Sequence, residues 1–330
     1  MCGGSGAGAA GAERSGAAMA LLRGVFIVAA KRTPFGAYGG LLKDFSATDL
    51  TEIAARAALN AGKVSPEIID SVIVGNVIQE ICLNDSEVVL CGGAENMSQA
   101  PYAVRNIRFG TRLGAELKLE DTLWAGLTDT HVKLPMALTA ENLAAKYNIT
   151  REDCDRYALK TQQRCKAAQD AGYFNAEMAP IEVKTRKGKE TMEKDEHPKP
   201  QTTPEQLAKL PCVFKKDGTV TAGNASVSPV PAITEVLKKA GLTLKDMDLV
   251  EVNEAFAPQY LAVEKVLGLD PEKTNVNGGA IAIGHPLGAS GSRITAHLVH
   301  ELRRRGGKYA VGSACIGGGQ GIALVIENTA

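Results

Sequence analysis

NGGAIAIGHPLGASGSR, residues 277–293, is the stretch of sequence that decides the fold. Its glycines and small residues predict a tight turn that carries His285 and leads into a helix over residues 292–307. In α/β folds, a polar side chain in a turn that links a strand to a helix commonly faces a ligand crevice. The stretch therefore predicts an α/β protein with His285 at a site.

Two other blocks follow the same plan. VEVNEAFAPQ, residues 250–259, places Asn253 at the end of a predicted strand. GSACIGGGQG, residues 312–321, places Cys315 at a strand end before three glycines. An imidazole can take the proton of a thiol, glycines let backbone N–H groups approach a developing oxyanion, and an amide can donate to the same oxygen. Together the blocks predict acyl or carbanion chemistry on a thioester.

Each block alone also has a structural explanation. His285 can serve as a turn residue beside Gly-Pro, and Cys315 as a small buried residue on an apolar strand. Asn253 can be a helix N-cap, with Glu254 favourable in the first turn. The occurrence of all three blocks close together favours a site.

The rest of the chain alternates predicted strands and helices, as expected of a parallel α/β sheet. The predicted strands cover residues 24–36, 70–79, 86–93 and the hairpin 308–328; the predicted helices cover residues 47–62, 137–148, 151–172 and 234–241. Only residues 80–85 separate the second and third predicted strands, which is too short for a parallel crossover. The charged run KTRKGKETMEKDEHPKPQ, residues 184–201, is predicted to be a solvated loop.

Composition excludes several classes of protein. Lysine and arginine number 37, as do aspartate and glutamate, so the net charge of zero gives no support for nucleic acid or an anionic membrane as a partner. No apolar run is long enough for a membrane span. Seven scattered cysteines without a CxxC pair indicate a reducing compartment and no zinc site. His297 and His300 lack a third ligand and are predicted to lie on a basic helix face.

Several blocks together resemble the thiolase family, and the similarity extends over residues 19–330. They are NEAFA, GGAIAIGHPLGASGSR, ACIGGGQG, AAKRTPFGAYGG, CGGAENMSQAPY and DGTVTAGNAS. Within the family, MALLRGV and LKLEDTLWAGLTD look most like the mitochondrial 3-ketoacyl-CoA branch. The resemblance implies a layered α/β/α fold of two similar halves with an inserted loop domain.

Four regions follow from this comparison, and both halves are expected to be incomplete. They are a disordered Gly/Ala-rich tail (1–18), an N-terminal half (19–101), an inserted helical and loop region (102–223) and a C-terminal half (224–330). The resemblance to this branch implies a mitochondrial location, and the apolar and basic segment MALLRGVFIVAAKR suits both an import signal and a first strand.

The resemblance also implies residue roles. His285 matches the histidine that activates the nucleophile, Cys315 the second cysteine that moves the α-proton of acetyl-CoA, and Asn253 the residue that positions an oxyanion-hole water. Expected contacts to CoA come from Ser226, Lys199 and Thr202. The family often has arginine where Lys199 stands, and lysine lacks the bidentate fork. CoA and acyl-CoA are the implied substrates, without a metal or redox cofactor, and the family is commonly dimeric or tetrameric.

The sequence departs from the family where the nucleophile should be. Thiolases carry that cysteine in a block like NRLCGSG, and no such block occurs here; GNVIQ runs almost directly into EICLNDS. A second gap follows AGNAS. Reactive thiols need an electropositive, accessible site, so the other cysteines are not expected to substitute: Cys91 is predicted to be buried, and Cys154 and Cys165 to share a helix face. The sequence thus predicts a thiolase relative with little or no thiolase activity.

Two rival functions remain. GHPLGASG suggests a dinucleotide-binding oxidoreductase, but its glycines do not follow GxGxxG and no acidic residue ends the next strand. A non-catalytic CoA-binding or regulatory partner of an intact thiolase would need the CoA-contacting residues but no nucleophile.

Overall fold

The computed structural model describes residues 25–74, 87–129, 131–221, 229–317 and 320–329. Its helices are α1 (Ala47–Gly62), α2 (Thr122–Gly126), α3 (Met136–Tyr147), α4 (Arg151–Asp170), α5 (Pro204–Ala208), α6 (Val230–Ala240), α7 (Ala257–Leu267), α8 (Ala280–Ile283) and α9 (Ser290–Arg305). Its strands are β1 (Ser71–Val74), β2 (Val89–Gly92), β3 (Tyr102–Val104), β4 (Leu119–Asp121), β5 (Ile181–Thr185), β6 (Gly188–Met192), β7 (Leu249–Val252), β8 (Tyr309–Gly317) and β9 (Gln320–Glu327). The predicted tail, residues 1–18, lies outside the described residues, and the four-region division stays a prediction.

The C-terminal sheet is the part of the fold that positions the site. β7 pairs with β8 in parallel and β8 with β9 antiparallel, which confirms the predicted hairpin. Helix α9 packs on β8 so closely that a Cβ atom at Gly312 would lie 2.8 Å from the side chain of Ile294. The helix ends where Gly306 takes a left-handed φ of 65°. These contacts hold the start of α9 beside the carboxyl ends of β7 and β8.

Helix α4 packs near the turn that carries His285, and its buried face contributes polar side chains there. Thr150 caps its N-terminus and forms a capping box with Asp153, as the sequence TxxD favours. Residues at helical spacing on one face are buried, namely Cys154, Tyr157, Ala158, Thr161, Gln162, Cys165 and Ala168. This face packs against α7 and α8 and brings polar side chains from α4 beneath the turn that carries His285.

The N-terminal strands form a small parallel pair. β1 and β2 pair in parallel from Ser71↔Val89 to Val74↔Gly92, which corrects the expectation that the connection is too short. Residues 75–88 lie between the two paired strands, and residues 75–86 of that stretch lie outside the described residues. Val72 and Val74 are 64% and 62% exposed, whereas parallel strands are normally covered on both faces.

The predicted strand over residues 24–36 is wrong in the described part. Residues 25–31 form no strand, and Arg32 makes only an isolated parallel bridge to Met178. Phe26 and Val28 are 65% and 69% exposed. An apolar, β-branched pattern favours a strand, but a strand also needs a neighbour to hydrogen-bond with.

The charged run over residues 184–201 is not a solvated loop throughout. β5 and β6 form an antiparallel hairpin whose turn contains Arg186 and Lys187. Lys189 donates to Glu182 across the two strands, so opposite charges pair on the exposed face. Asp195 is 7% exposed and belongs to the interior. Among the described residues, no helix is long and apolar enough to cross a membrane.

Candidate active site

Asn253 stands at the carboxyl end of β7. It is fully buried, and its backbone N–H donates to the carbonyl of Ser313 on β8 at 2.8 Å. Because β7 and β8 are parallel with Val252 opposite Ser313, Cys315 lies two residues further along β8 at the same edge. Cys315 is 9% exposed, next to a register shift in the β8–β9 ladder. The strands therefore bring Asn253 and Cys315 to one end of the sheet.

The alternative role for Asn253 as a helix N-cap is wrong. The residue at the N-cap of α7 is Phe256, and the helix begins at Ala257. Glu254 accordingly lies outside the first turn, where it was expected to interact favourably with the helix dipole. The side chain of Asn253 contacts His285 instead, and that of Glu254 accepts hydrogen bonds from α4 and α8.

His285 lies in the turn between α8 and α9, and its side chain meets that of Asn253. Asn253 Nδ2 can only donate, so His285 Nε2 accepts this bond at 3.3 Å. His285 Nδ1 lies 2.6 Å from Ser290 Oγ, which donates to the carbonyl of Pro286 at 3.1 Å. This arrangement is satisfied by one neutral tautomer, with the proton on Nδ1. Burial, and secondarily the positive charge of Arg293, lowers the pKa of His285 to about 4.

The neutral ring can therefore act as a base through Nε2 at neutral pH. The lone pair of Nε2 points towards the amide of Asn253, at the sheet edge where Cys315 lies. A base, an amide donor and a thiol at one edge are the groups that proton transfer next to a thioester carbonyl requires.

Glu254 fixes the segment that leads to His285, a role that its sequence position did not reveal. Its buried carboxylate accepts from Tyr157 Oη at 2.7 Å, Thr161 Oγ1 at 2.9 Å, Asn275 Nδ2 at 3.1 Å and the backbone N–H of Ile281 at 3.1 Å. Burial raises the pKa of Glu254. The carboxylate thus connects the end of β7, helix α4 and helix α8 in one hydrogen-bonded cluster.

The expected CoA-contacting residues Lys199 and Thr202 form a turn at the surface. Thr202 Oγ1 donates to the carbonyl of Lys199 at 2.7 Å. The backbone N–H of Lys199 donates to Gln162 Oε1, and Gln162 Nε2 donates to the carbonyl of Ile281. This turn is therefore linked to the segment before His285. Ser226 lies outside the described residues.

The N-terminal half contacts the His285 turn directly. Glu95 Oε2 accepts from the backbone N–H of Gly288 at 2.9 Å. Gly93 lies so close to the carbonyl oxygen of Gly288 that no Cβ atom could fit there. The blocks CGGAEN and GHPLG, which the sequence singled out separately, are thus neighbours.

His297 corrects the prediction of a basic helix face. It is 3% exposed, and its Nδ1 lies 3.0 Å from Glu177 Oε2. Glu177 also accepts from Arg32 Nε at 2.6 Å, and Arg32 forms two bonds to the carboxylate of Asp195. Burial lowers the pKa of His297, but the adjacent Glu177 outweighs burial and raises it. His300, one turn further, binds the carbonyl of Ala30 and does not join this cluster.

The described cysteines outside the site confirm one prediction and correct another. Cys154 and Cys165 are fully buried on one face of α4, and burial raises the pKa of each thiol to about 12. Cys91 was predicted to be buried but is exposed on β2. Cys82 lies outside the described residues.

This fold and this pairing of Asn253 with His285 occur in a chain that belongs to the thiolase family. The family's N-terminal domain matches residues 25–82 and 78–228, and its C-terminal domain matches residues 208–328. The chain is 65% identical to mitochondrial 3-ketoacyl-CoA thiolase of Mus musculus, over 94% of this chain and 100% of that enzyme.

Solved structures of thiolases support the same family assignment. The crystal structure of human mitochondrial 3-ketoacyl-CoA thiolase matches with a TM-score of 0.91 and 62% identity, over 94% of this chain and 100% of that chain. The acetyl-CoA acetyltransferase of Bacillus anthracis matches with a TM-score of 0.82 and 36% identity, over 91% and 98%. The thiolase fold is therefore confirmed, and the names of the nearer relatives agree with the predicted mitochondrial location.

The alignments also contain positions that this chain lacks. The alignment with the mouse enzyme runs over 397 positions, whereas the chain has 330 residues. Because that alignment takes in the whole mouse enzyme, the unmatched positions lie inside it. The family's N-terminal domain matches in two pieces that meet at residues 78–82, the place where GNVIQ joins EICLNDS.

Proposed function

We propose that this chain binds CoA thioesters at the Asn253–His285 site but does not carry out the thiolytic cleavage of 3-ketoacyl-CoA. In the parent reaction a cysteine sulfur attacks the keto carbon and accepts the acyl group while acetyl-CoA leaves, and CoA then takes the acyl group. Asn253 Nδ2 remains to donate to the oxygen of a thioester, His285 Nε2 to act as a base, and Cys315 to exchange a proton at the α-carbon. No block like NRLCGSG supplies the sulfur that would accept the acyl group.

The observation that carries the proposal is the break in the family match at residues 78–82. It coincides with the join at which the nucleophile block is absent from the sequence. Loss of one member of a cooperating catalytic group can cost as much as loss of all of them. The retained base and amide therefore do not restore turnover.

Two measurements on the purified chain test this. The first is thiolysis of acetoacetyl-CoA, for which we expect no turnover above background. The second is intact-mass analysis after incubation with acetyl-CoA, for which we expect no acetyl adduct on any thiol. Normal turnover, or an adduct that a CoA wash removes, would overturn the proposal.

Exchange of the α-proton of acetyl-CoA with solvent tests whether His285, Asn253 and Cys315 still act together on a bound thioester. Removal of the α-proton of acetyl-CoA needs a base and an oxyanion donor but no acyl-accepting sulfur. We expect slow exchange in D2O that both the Cys315→Ala and His285→Ala variants abolish. No exchange in a chain that still binds CoA would limit the site to binding.

A second candidate function is a non-catalytic CoA-binding or regulatory partner of an intact thiolase. The surface turn of Lys199 and Thr202, linked to Ile281 through Gln162, favours it, because this turn persists without the nucleophile block. The substrates would still be CoA and acyl-CoA, without a metal or redox cofactor. Calorimetry with CoA and co-purification with an intact thiolase test this role, as do sedimentation measurements of a homo-oligomer.

A further inference from the structure

A row of buried polar side chains runs along one face of helix α9. Ser290, Arg293 and His297 share this face, because they are spaced at helical intervals along the helix. They are 4%, 2% and 3% exposed. Ser290 lies against the ring of His285, and His297 belongs to the cluster around Glu177. Arg293 lies between them on the helix and pairs with a strand of the sheet instead.

The partner of Arg293 is Glu251 on β7. Arg293 Nη1 donates to Glu251 Oε1, and both side chains are 2% exposed. Glu251 lies two residues before Asn253, so the two side chains leave the chain on the same face of the sheet. That face meets α9, because Leu249, at the same spacing, belongs to one apolar cluster with side chains of α9. The ion pair therefore lies beside Asn253, at the interface of β7 and α9.

The ion pair leaves part of the guanidinium of Arg293 without a partner. Arg293 Nη2 is buried and has no hydrogen-bond acceptor among the described residues. A charge in the protein interior acts on its neighbours more strongly than it would in water. About one helical turn separates Arg293 from Ser290, which contacts the imidazole of His285. Burial is the larger cause of the lowered pKa of His285, and the positive charge of Arg293 lowers that pKa further.

Other titratable groups surround these two side chains. They are Glu251 from β7, Cys165 from α4, His297 from α9, Cys315 from β8, and Glu95 and His197 from loops. Glu95 and His197 are hydrogen-bonded to backbone groups of the segment around His285. Within the described residues, burial and Arg293 are the causes that lower the pKa of His285.

We propose that Arg293, held in place by Glu251, is a positioning residue that keeps His285 in its neutral form. The inference rests on the proposed function only for the use to which the neutral ring is put, namely to accept a proton through Nε2. A buried ion pair can also serve packing alone. In that case the titration of His285 would not depend on the charge at residue 293, and this difference makes the two roles separable.

NMR titration of ¹³C-labelled histidine in the full chain tests the proposal without a bound thioester. Arg293→Met/Glu251→Met replaces the pair by apolar side chains, an exchange that a buried ion pair often tolerates. It should raise the pKa of His285 above about 4 but not as far as 6.5, because the burial remains. Arg293→Lys keeps the positive charge and should leave the pKa of His285 at about 4.

Two controls separate charge from packing. Glu251→Gln removes the carboxylate but keeps Arg293, so it should not raise the pKa of His285. Arg303→Gln removes an exposed charge further along α9 and should leave that pKa unchanged. Thermal melts establish that each variant is folded before it is titrated. A pKa that stays at about 4 in the folded Arg293→Met/Glu251→Met variant, or an equal rise in Arg293→Lys, would overturn the proposal.

The pH dependence of α-proton exchange gives a second readout. Exchange needs the neutral ring of His285, so its rate should fall off at higher pH in Arg293→Met/Glu251→Met than in the parent chain, and at the same pH in Arg293→Lys. An unchanged profile in a variant whose His285 titrates higher would overturn the proposed link to the base. If exchange is absent but the titrations follow the expected pattern, Arg293 has the inferred role and the proposed proton transfer does not occur.

Discussion

Replacing Glu177 by glutamine should destabilise the protein strongly and in a pH-dependent way. The carboxylate is 1% exposed and accepts from both Arg32 and His297. Burial alone would raise the pKa of Glu177, but the charges of Arg32 and His297 outweigh it and lower the pKa from 4.5 to about 2. A shift of this size corresponds to about 3 kcal/mol of folding free energy.

The sign follows from the direction of the shift. A carboxyl group whose pKa is lower in the folded state contributes its full stabilisation above the unfolded value of 4.5 and loses it as the pH falls to about 2. His297 has a raised pKa, so its contribution is complete below 6.5 and is lost as the pH rises through the folded value. Glu177→Gln should therefore lower the free energy of unfolding by about 3 kcal/mol at pH 6 and by about half of that near pH 3.

Urea unfolding at several pH values between 3 and 7 measures this difference. Glu182→Gln is a matched control, because Glu182 pairs with Lys189 at the surface, where an ion pair contributes about 1 kcal/mol or less. The reasoning would be refuted if Glu177→Gln cost no more than the control, or if its cost were the same at pH 3 as at pH 6.

Three further predictions concern the site and the cysteines. The imidazole of His285 should remain neutral down to about pH 4, which NMR of ¹³C-labelled histidine measures; titration near 6.5 would contradict the burial argument. Gly279→Ala should lower the free energy of unfolding by about 1–3 kcal/mol, because the new Cβ atom would lie 2.5 Å from the carboxyl carbon of Glu254. Gly291→Ala is the control: its Cβ atom would meet open space, so thermal melts should show no change or a slight stabilisation. Cys91 should react with a thiol reagent in the folded chain and Cys154 should not, as peptide mass spectrometry can establish; equal labelling would contradict the assigned burial.

The elements that the sequence predicted well are those whose stabilising contacts are local or repeat along one face. Helix α4 has its capping box and a regular buried face within its own residues. The β8–β9 hairpin joins neighbours in the sequence, so its pairing needs no distant partner. The strand predicted at 24–36 failed because its formation depends on a neighbour, and no local pattern specifies whether that neighbour is present.

The site was predicted in outline because three blocks each placed a polar side chain after a strand or in a glycine turn. The contacts that set the chemistry were not predictable in this way. Ser290, which orients the ring of His285, reads as an ordinary residue at the start of a helix. Glu254 also has no local signal for its role, because its donors come from Tyr157, Thr161 and Asn275, distant in the sequence. A spacing of four residues could have suggested that Tyr157 and Thr161 share a face, but not what that face meets.

The Asn253–His285 pair forms although the described residues of the N-terminal half contribute only the two-stranded sheet of β1 and β2, and the contacts that orient the pair explain why. The ring of His285 is oriented by Ser290, and the backbone of Asn253 by Ser313, all within the C-terminal part of the chain. In the described residues, the N-terminal half meets the turn at Gly288, through the side chain of Glu95 and the backbone at Gly93. A Glu95→Gln variant should therefore leave the pKa of His285 near 4, whereas Ser290→Ala removes the acceptor of its Nδ1 proton and should change the titration. If Glu95→Gln alone shifted the titration, the pair would depend on the N-terminal half, and the absence of the nucleophile block would be expected to disturb it as well.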